Sequence, residues 1–510
     1  MKRRCLLEPN RALPALLGRM PVCVLHGTVQ RLVRSLSMDA RQVTPGALFV
    51  AVRGHHSDGH VFLNEALDRG ATVLVVEEMP VSLWPRVRAG EYTVLQVVDS
   101  RKALALLASA YYGHPARHLR LVGVTGTNGK TTITYIVEAI LQAAGHTAGV
   151  LGTVNYRFGT HYLPAPQTTP DVLVLHQLLA QMVEAGIGDA VIEVSSPALM
   201  QERVWGCRFE AAVFTNMCCG RYDDHGSGEA SWAVKARLLR DMAAAWHIVN
   251  LDDPCGQKLV QTSQARLLTY GLDHEATLKP SRVSHGLDGI RFTLATTKGR
   301  LTISSPLVGR HNVYNLLAGI GVALALDIEA PAIRDGIAQL QCVPGRLERI
   351  DVGQDFAVFV DCARTPTALE QILRLLRTET TGRVITVFGG DGGRDPGERP
   401  LMGEVVTALS DYTIITSDHP RTEDPQQIIA AIVAGVNAKA RYTTIPDRRQ
   451  AIEQAIALAQ AQDIVVIAGK GHEDYHIVGQ QRLYFDDREV ARAALQQREV
   501  GEKHAKLGYR

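Results

Sequence analysis

Residues 121–132 read LVGVTGTNGKTT. An apolar run leads into a glycine-rich turn, and a lysine and two threonines follow it. The segment LRLVGVT predicts a buried strand, and the residues after the turn predict a helix. There Ile133, Ile136, Val137, Ile140 and Leu141 recur at i, i+3, i+4, i+7 and i+8, which makes one apolar stripe. Gly145 stands where that helix should stop. Glycines in such a turn let backbone N–H groups face phosphate oxygens, and the helix N-terminus adds favourable partial charge. Counted from Gly123, the spacing is G-x5-G-K-T. Gly126, Thr127, Asn128, Gly129, Lys130, Thr131 and Thr132 are therefore candidate nucleotide-binding residues. Lys130 would reach the terminal phosphates, and a hydroxyl of Thr131 or Thr132 would hold Mg²⁺. The implied cofactors are ATP and Mg²⁺.

Working outward, the segments PGALFVAVRG, HVFLNEALDRG and ATVLVVEE give a strand, a helix stopped by Gly70, and a second strand. YYGHPARH (111–118) reads as a linker. Downstream, DAVIEVSS and AAVFTN are buried-strand candidates, and NVYNLLAGIGVALALDI is a core helix. From about residue 345 the strands AVFVD, RVITVFGG, YTIITSD and DIVVIAGKG alternate with helical segments. That rhythm predicts a mostly parallel sheet covered on both faces. Ligands should lie at the carboxyl ends of its strands, where VDCARTP, GGDGGRD, SDHPR and AGKGHE fall. The expected fold class is α/β in three domains: an N-terminal domain over 1–114, a central P-loop ATPase-like domain over 115–342, and a C-terminal Rossmann-like domain over 343–510.

Bulk properties narrow the function. A chain of 510 residues is too long for one core. Its 46% hydrophobic and 21% charged residues suit a soluble globular protein. A formal net charge of +2 argues against a dedicated nucleic-acid binder. No run approaches the roughly twenty apolar residues that span a bilayer, so no membrane partner is expected. The cysteines at 5, 23, 207, 218, 219, 255, 342 and 362 form no C-x-x-C pair, which suggests free thiols in a reducing, cytoplasmic setting.

GVTGTNGKTT resembles the ATP loop of the Mur ligases, cytoplasmic enzymes that add amino acids to the peptidoglycan precursor. The resemblance continues in order through QTTPD (167–171), EVSS (193–196), FTN (214–216), AVKARLL (233–239), HNVYNLLA (311–318) and VPGRLERID (343–351). RPLMGE (399–404), SDHPRTEDP (417–425), AGKGHE (468–473) and FDDREVAR (485–492) complete it. Any one motif is weak, but the ordered set is specific and is most similar to the family member that adds the third amino acid. The resemblance implies an ATP-dependent ligase that joins an amino acid, expected to be meso-diaminopimelate, to the carboxylate of a UDP-N-acetylmuramoyl-dipeptide through an acyl phosphate. It implies small-molecule partners only, and a monomer.

Site residues follow from the same resemblance. Glu193 would be a metal ligand beside Lys130. Lys235 would be carbamylated to N6-carboxylysine and so position a second Mg²⁺. Asn315, Arg346 and Asp361 would surround the adenosine. Asp39 and Arg41 would meet the uridine end, while Thr168, Thr169, Ser195, Gln201 and Arg203 would hold the muramoyl-dipeptide. Arg394, Asp418, His419, Pro420, Arg421, Gly469 and Glu473 match the amino-acid site. There Arg421 can clamp a carboxylate and Glu473 can hold an ammonium group.

The pattern breaks in NMCCGRYDDHG (216–226). The family has roughly N-L-x-R-D-H-L-D-x-H-G, and its first His is a metal ligand. Arg221 stands there, and a guanidinium stays protonated and cannot coordinate Mg²⁺. Arg221 is thus a candidate catalytic fixed charge. Pro197 and Arg364 also replace family histidines, Cys362 replaces a Tyr, Ala40 a Ser and His419 an Asn. Three readings stay open: a cell-wall ligase with Arg221 in place of one metal contact, a divergent paralogue joining other substrates in a specialised metabolite pathway, or a non-catalytic binder of precursor or nucleotide.

Overall fold

The predicted strand forms as Arg120–Thr125 and lies inside an eight-stranded sheet. The computed structural model describes residues 11–54, 57–217 and 228–507. In sheet order the central strands are 266–270, 243–250, 208–214, 120–125, 189–193 and 148–151, all parallel. An antiparallel hairpin, Asn155–Phe158 and His161–Pro164, extends one edge. The helix Lys130–Ala143 follows the glycine loop, and its predicted stripe is buried, with Ile133, Ile136 and Ile140 at 0% exposure. That stripe meets Leu316 and Ile320 of the helix Arg310–Ala325 and Ile333 of Ala330–Gln339 on one face of the sheet. The helices Val172–Glu184 and Gly228–Arg240 cover the other face. Burying each such Ile or Leu contributes about 1.5–3 kcal/mol, so the paired layers hold the sheet rigid beneath the loop.

Two further sheets flank the central one. Before it, five strands run in the order 23–26, 93–96, 71–76, 47–50, 35–37. The helix predicted from HVFLNEALDRG begins as a 3-10 turn, Gly59–Phe62, because the Asp58 carboxylate accepts from His60 N at its start. Only Leu63–Asp68 is α-helical. After the central sheet, six strands run in the order 348–349, 357–361, 464–468, 384–388, 412–415, 442–444. All are parallel except the two-residue edge strand. The helices Pro366–Thr378, Glu398–Leu409 and Pro425–Val433 pack on one face, and Arg448–Leu458 and Asp487–Leu507 on the other. An antiparallel three-stranded sheet over 281–305 and the hairpin Tyr475–Val478/Gln481–Tyr484 lie outside the expected plan. Among the described residues, no helix is long and apolar enough to cross a membrane.

Candidate active site

The glycine loop opens into a cavity of about 630 Å³ between the central and C-terminal sheets. Its wall takes Thr127, Asn128, Lys130 and Thr131 from the loop and helix, and Arg346 and Asp361 from the C-terminal region. Gly126 has φ +135°, and a Cβ there would stand 1.9 Å from the Thr215 hydroxyl, so only glycine lets the loop lie this close to its neighbour strand. Two side-chain contacts span the cavity: Asn128 Nδ2 donates to Gln371 Oε1 (2.9 Å), and Arg346 Nη2 to Thr131 Oγ1 (3.2 Å).

Strand register delivers Glu193. It pairs with Val124, so its side chain emerges at the carboxyl end, next to the loop. The carboxylate is 1% exposed and accepts from Thr131 Oγ1 (3.0 Å), Thr153 N (2.9 Å) and Thr153 Oγ1 (2.9 Å). Nothing in the sequence marked Thr153. It sits just past the strand Ala148–Leu151, and only the pairing of that strand with Asp189–Glu193 brings it to the carboxylate. The Thr131 hydroxyl and the Glu193 carboxylate are hard oxygen donors at the glycine-loop end of the cavity, the donor chemistry that Mg²⁺ takes.

Lys130 folds back onto the loop, its Nζ donating to the carbonyls of Gly126 and Thr127, both at 2.9 Å. Burial brings its pKa from 10.5 down to about 8. Glu193 opposes that fall, while Lys235 and Arg346 add to it. Lys235 is buried on the helix Gly228–Arg240, and its Nζ donates to Ser231 Oγ at 2.9 Å. Arg221 lies outside the described residues. Asn315 lines the first cavity and donates to Asn312 Oδ1, while Asp361 accepts from Leu347 N and Ala363 N. Arg346 Nη1 donates to the Cys362 sulfur, so Cys362 partners that arginine at the cavity wall.

A second cavity, about 490 Å³, lies between the N-terminal and central sheets and joins Asp39 and Arg41 to Gln201 and Arg203. Arg41 is paired with Asp39, at 2.8 Å. Arg203 donates to Thr169 O (2.6 Å) and Gln201 Oε1 (2.7 Å), and meets Asp171 at 3.2 Å. Thr168 lines the first cavity. Thr169 is 0% exposed, and its hydroxyl donates to Glu193 O while accepting from Ser195 N. It fixes the carboxyl end of the strand Asp189–Glu193. Ser195 caps the short helix Ser196–Met200, whose first turn holds Pro197. Proline is well tolerated at that position, which explains locally how it replaces another residue there.

The amino-acid candidates gather at the carboxyl ends of the C-terminal strands. Arg421 has φ +53°, and its backbone is pinned to the hairpin by bonds with Ile477 O and Gly479 N. Arg394 is 42% exposed and lies 3.6 Å from Asp391. Asp418 and His419 are buried, at 0% and 1% exposure. His419 Nδ1 accepts from Ile477 N (3.0 Å), so the ring is the Nε2–H tautomer and donates to Glu473 Oε2 (2.9 Å). The ring stacks on Tyr475. Pro420 is also buried, its carbonyl accepting from Glu423 N. Gly469 has φ +123°, and a Cβ there would stand 2.3 Å from Asp418 Oδ2. Arg364 donates to Gly469 O through Nε (3.1 Å) and Nη2 (2.8 Å), and to Glu473 Oε2 through Nη2 (2.7 Å). Its Nη1 lies 3.4 Å from Asp391 Oδ2. Burial would raise the Glu473 carboxyl, but His419 and Arg364 outweigh it and hold it down at about 2.

Comparison with known proteins identifies the family. The Mur ligase family, catalytic domain model matches residues 32–112, the Mur ligase middle domain 124–323, and the Mur ligase, glutamate ligase domain 345–471. UDP-N-acetylmuramoyl-L-alanyl-D-glutamate–2,6-diaminopimelate ligase of Geobacillus thermodenitrificans is 42% identical over 95% of this chain and 99% of its own. The ligase of the same name from Gloeobacter violaceus is 45% identical over 91% and 94%. A solved structure of a ligase with that name superposes with a TM-score of 0.69 at 31% identity, covering 95% of this chain and 99% of that one. A UDP-N-acetylmuramoylalanyl-D-glutamyl-2,6-diaminopimelate–D-alanyl-D-alanyl ligase from Acinetobacter baumannii, 20% identical, shares the fold with a TM-score of 0.58 over 92% and 94%. A glycine loop facing a buried carboxylate, three α/β units in this order and similarity along almost the whole length have one common source: the chain belongs to the Mur ligase family.

Proposed function

We propose that this chain is an ATP-dependent, ADP-forming ligase that adds meso-diaminopimelate to the D-glutamate carboxylate of UDP-N-acetylmuramoyl-L-alanyl-D-glutamate. The observation that carries the reading is 42% identity to ligases of that specificity over 95% of the chain, with the phosphate loop and Glu193 intact. In this reading residues 1–114 and the second cavity receive the uridine end through Asp39 and Arg41. Gln201 and Arg203 orient the peptide, and Thr168 receives its carboxylate near the loop. ATP lies with its phosphates on residues 126–132 and its adenosine toward Asn315, Arg346 and Asp361.

The substrate carboxylate attacks the γ-phosphorus, and the bond to the β-phosphate oxygen breaks, leaving an acyl phosphate and ADP. The amine of the amino acid then attacks the acyl carbon, loses a proton, and inorganic phosphate departs. Lys130 supplies positive charge to oxygens that are negative throughout, which is what makes the approach of two anions feasible. Thr131 and Glu193 would hold Mg²⁺, which when bound supplies further neutralisation of the transferring phosphoryl group. Lys235 would contribute as a carbamate: as a cation near Lys130 it opposes that lysine's protonation, whereas an anion there would favour it. Arg421 and Arg394 are the cations for the incoming carboxylates. The enzyme works as a monomer in the cytoplasm.

The test is turnover. With ATP, Mg²⁺, the UDP-linked dipeptide and meso-diaminopimelate, the purified chain releases phosphate and yields a product heavier by one diaminopimelate less one water. Nucleotide binding without any such product, over a panel of amino acids, would favour the non-catalytic binder.

A further inference from the structure

Asp391, Asp418 and His419 each bring a ligand atom to within 4.8 Å of the others, all three residues buried. Both Asp418 oxygens and Asp391 Oδ1 are without a hydrogen-bond partner among the described residues. Such a cluster demands a cation. One is already present, because the Arg364 guanidinium lies against Asp391 and Glu473 and reaches the Gly469 carbonyl with two N–H groups. Burial works against its charge, but Asp418, Glu473 and Asp391 outweigh burial and hold the guanidinium protonated.

This matters because of where Glu473 stands. Of the three carboxylates it is the one open to the outside, at 17% side-chain exposure against 4% for Asp391 and 0% for Asp418. Through His419 it adjoins the segment that carries Arg421. With Arg421 taking a carboxylate of the amino acid, as the ligase reading has it, the Glu473 carboxylate and the Gly469 carbonyl are the acceptors that a second, non-reacting amino group would meet. In this chain Glu473 Oε2 accepts from both Arg364 and His419, and Gly469 O accepts twice from Arg364.

We propose that the Arg364 guanidinium is a tethered stand-in for the distal ammonium of the incoming amino acid, so that the chain recognises that amino acid through its carboxylates and gains little from a second amino group. The inference rests on the ligase reading above and adds a specificity-determining residue to it. An amino acid with the same two carboxylates, the same reacting amine and no distal amine is then an equivalent substrate. Removing Arg364 frees the two acceptors and restores selection for the diamino acid.

The experiment measures kcat and KM of the full chain for meso-diaminopimelate and for L-2-aminopimelate, with wild type, Arg364→Ala and Arg364→Gln. The two KM values of the wild type are expected to agree within about threefold. In the variants the KM ratio should shift by about tenfold or more toward meso-diaminopimelate, the value of one hydrogen bond to a charged group. A wild type that prefers meso-diaminopimelate by more than about tenfold overturns the proposal and leaves the ligase reading intact. A ratio that does not move in either folded variant does the same. Turnover of neither amino acid overturns both. If neither variant folds, the wild-type ratio alone decides.

Discussion

Lys130 offers the sharpest quantitative test. Desolvation in the loop brings its pKa from 10.5 to about 8 before nucleotide arrives. At about 1.4 kcal/mol per pH unit, that fall costs the free protein about 3 kcal/mol whenever the lysine is charged. Terminal phosphates beside the ammonium favour the charged form and lift the pKa again, to at least its ordinary value. The sign follows from linkage: the complex binds the proton more tightly than the free protein does. Nucleotide affinity is therefore full below pH 8 or so and falls about tenfold per pH unit above it, until the bound-state pKa is passed. At about pH 9 roughly a tenth of the free protein carries the proton, against nearly all of the complex, so binding takes up about 0.9 proton; at about pH 7 it takes up about 0.1. Calorimetric titration of Mg²⁺–ADP in two buffers of different ionisation enthalpy reads this number directly. Equal heats in both buffers at pH 9 would refute the argument that burial, rather than a fixed ion pair, governs Lys130. Lys130→Met removes the titrating group and should bind weakly with no proton uptake.

Two further outcomes are expected. Arg448 is 3% exposed, pairs with Asp487 at 2.7 Å and is the leading charge that keeps the buried Asp418 ionised. Arg448→Met should lower the unfolding free energy of the C-terminal region by about 3–5 kcal/mol, seen as a fall in its calorimetric transition, and a loss under about 1 kcal/mol would show that the carboxylates simply protonate. Lys235, if carboxylated, should give a carbamate carbon resonance from protein equilibrated with ¹³C-bicarbonate, absent in Lys235→Arg together with most of the activity. A resonance that persists in the variant would place the modification elsewhere.

The α/β class, the phosphate loop and most strands were legible from local pattern. Residues 120–125 and 130–143 announce themselves because a β-branched run, a glycine turn and a 3.6-residue stripe each have one cheap conformation. The antiparallel sheet over 281–305 carries a period-2 signal in Gly289–Thr296 and Gly299–Ser305, whose buried and exposed residues alternate, but its third strand, Ser281–Gly286, is almost wholly exposed and only tertiary pairing defines it. At the site, residue type pointed to Lys130 and Thr131, and the family resemblance to Glu193, but neither pointed to Thr153, which no motif marks. The amino-acid end shows the limit most clearly. Sequence offered Glu473 as the ammonium partner and marked Arg364 only as a departure from pattern. Sequence alone determined which charges this chain carries and in what order the strands deliver them. Which charges meet was decided by the parallel pairing of strands 357–361 and 464–468, which sets the residue after one beside the loop after the other, more than a hundred positions along the chain. An ion pair depends on distance in space, and no local propensity encodes that distance.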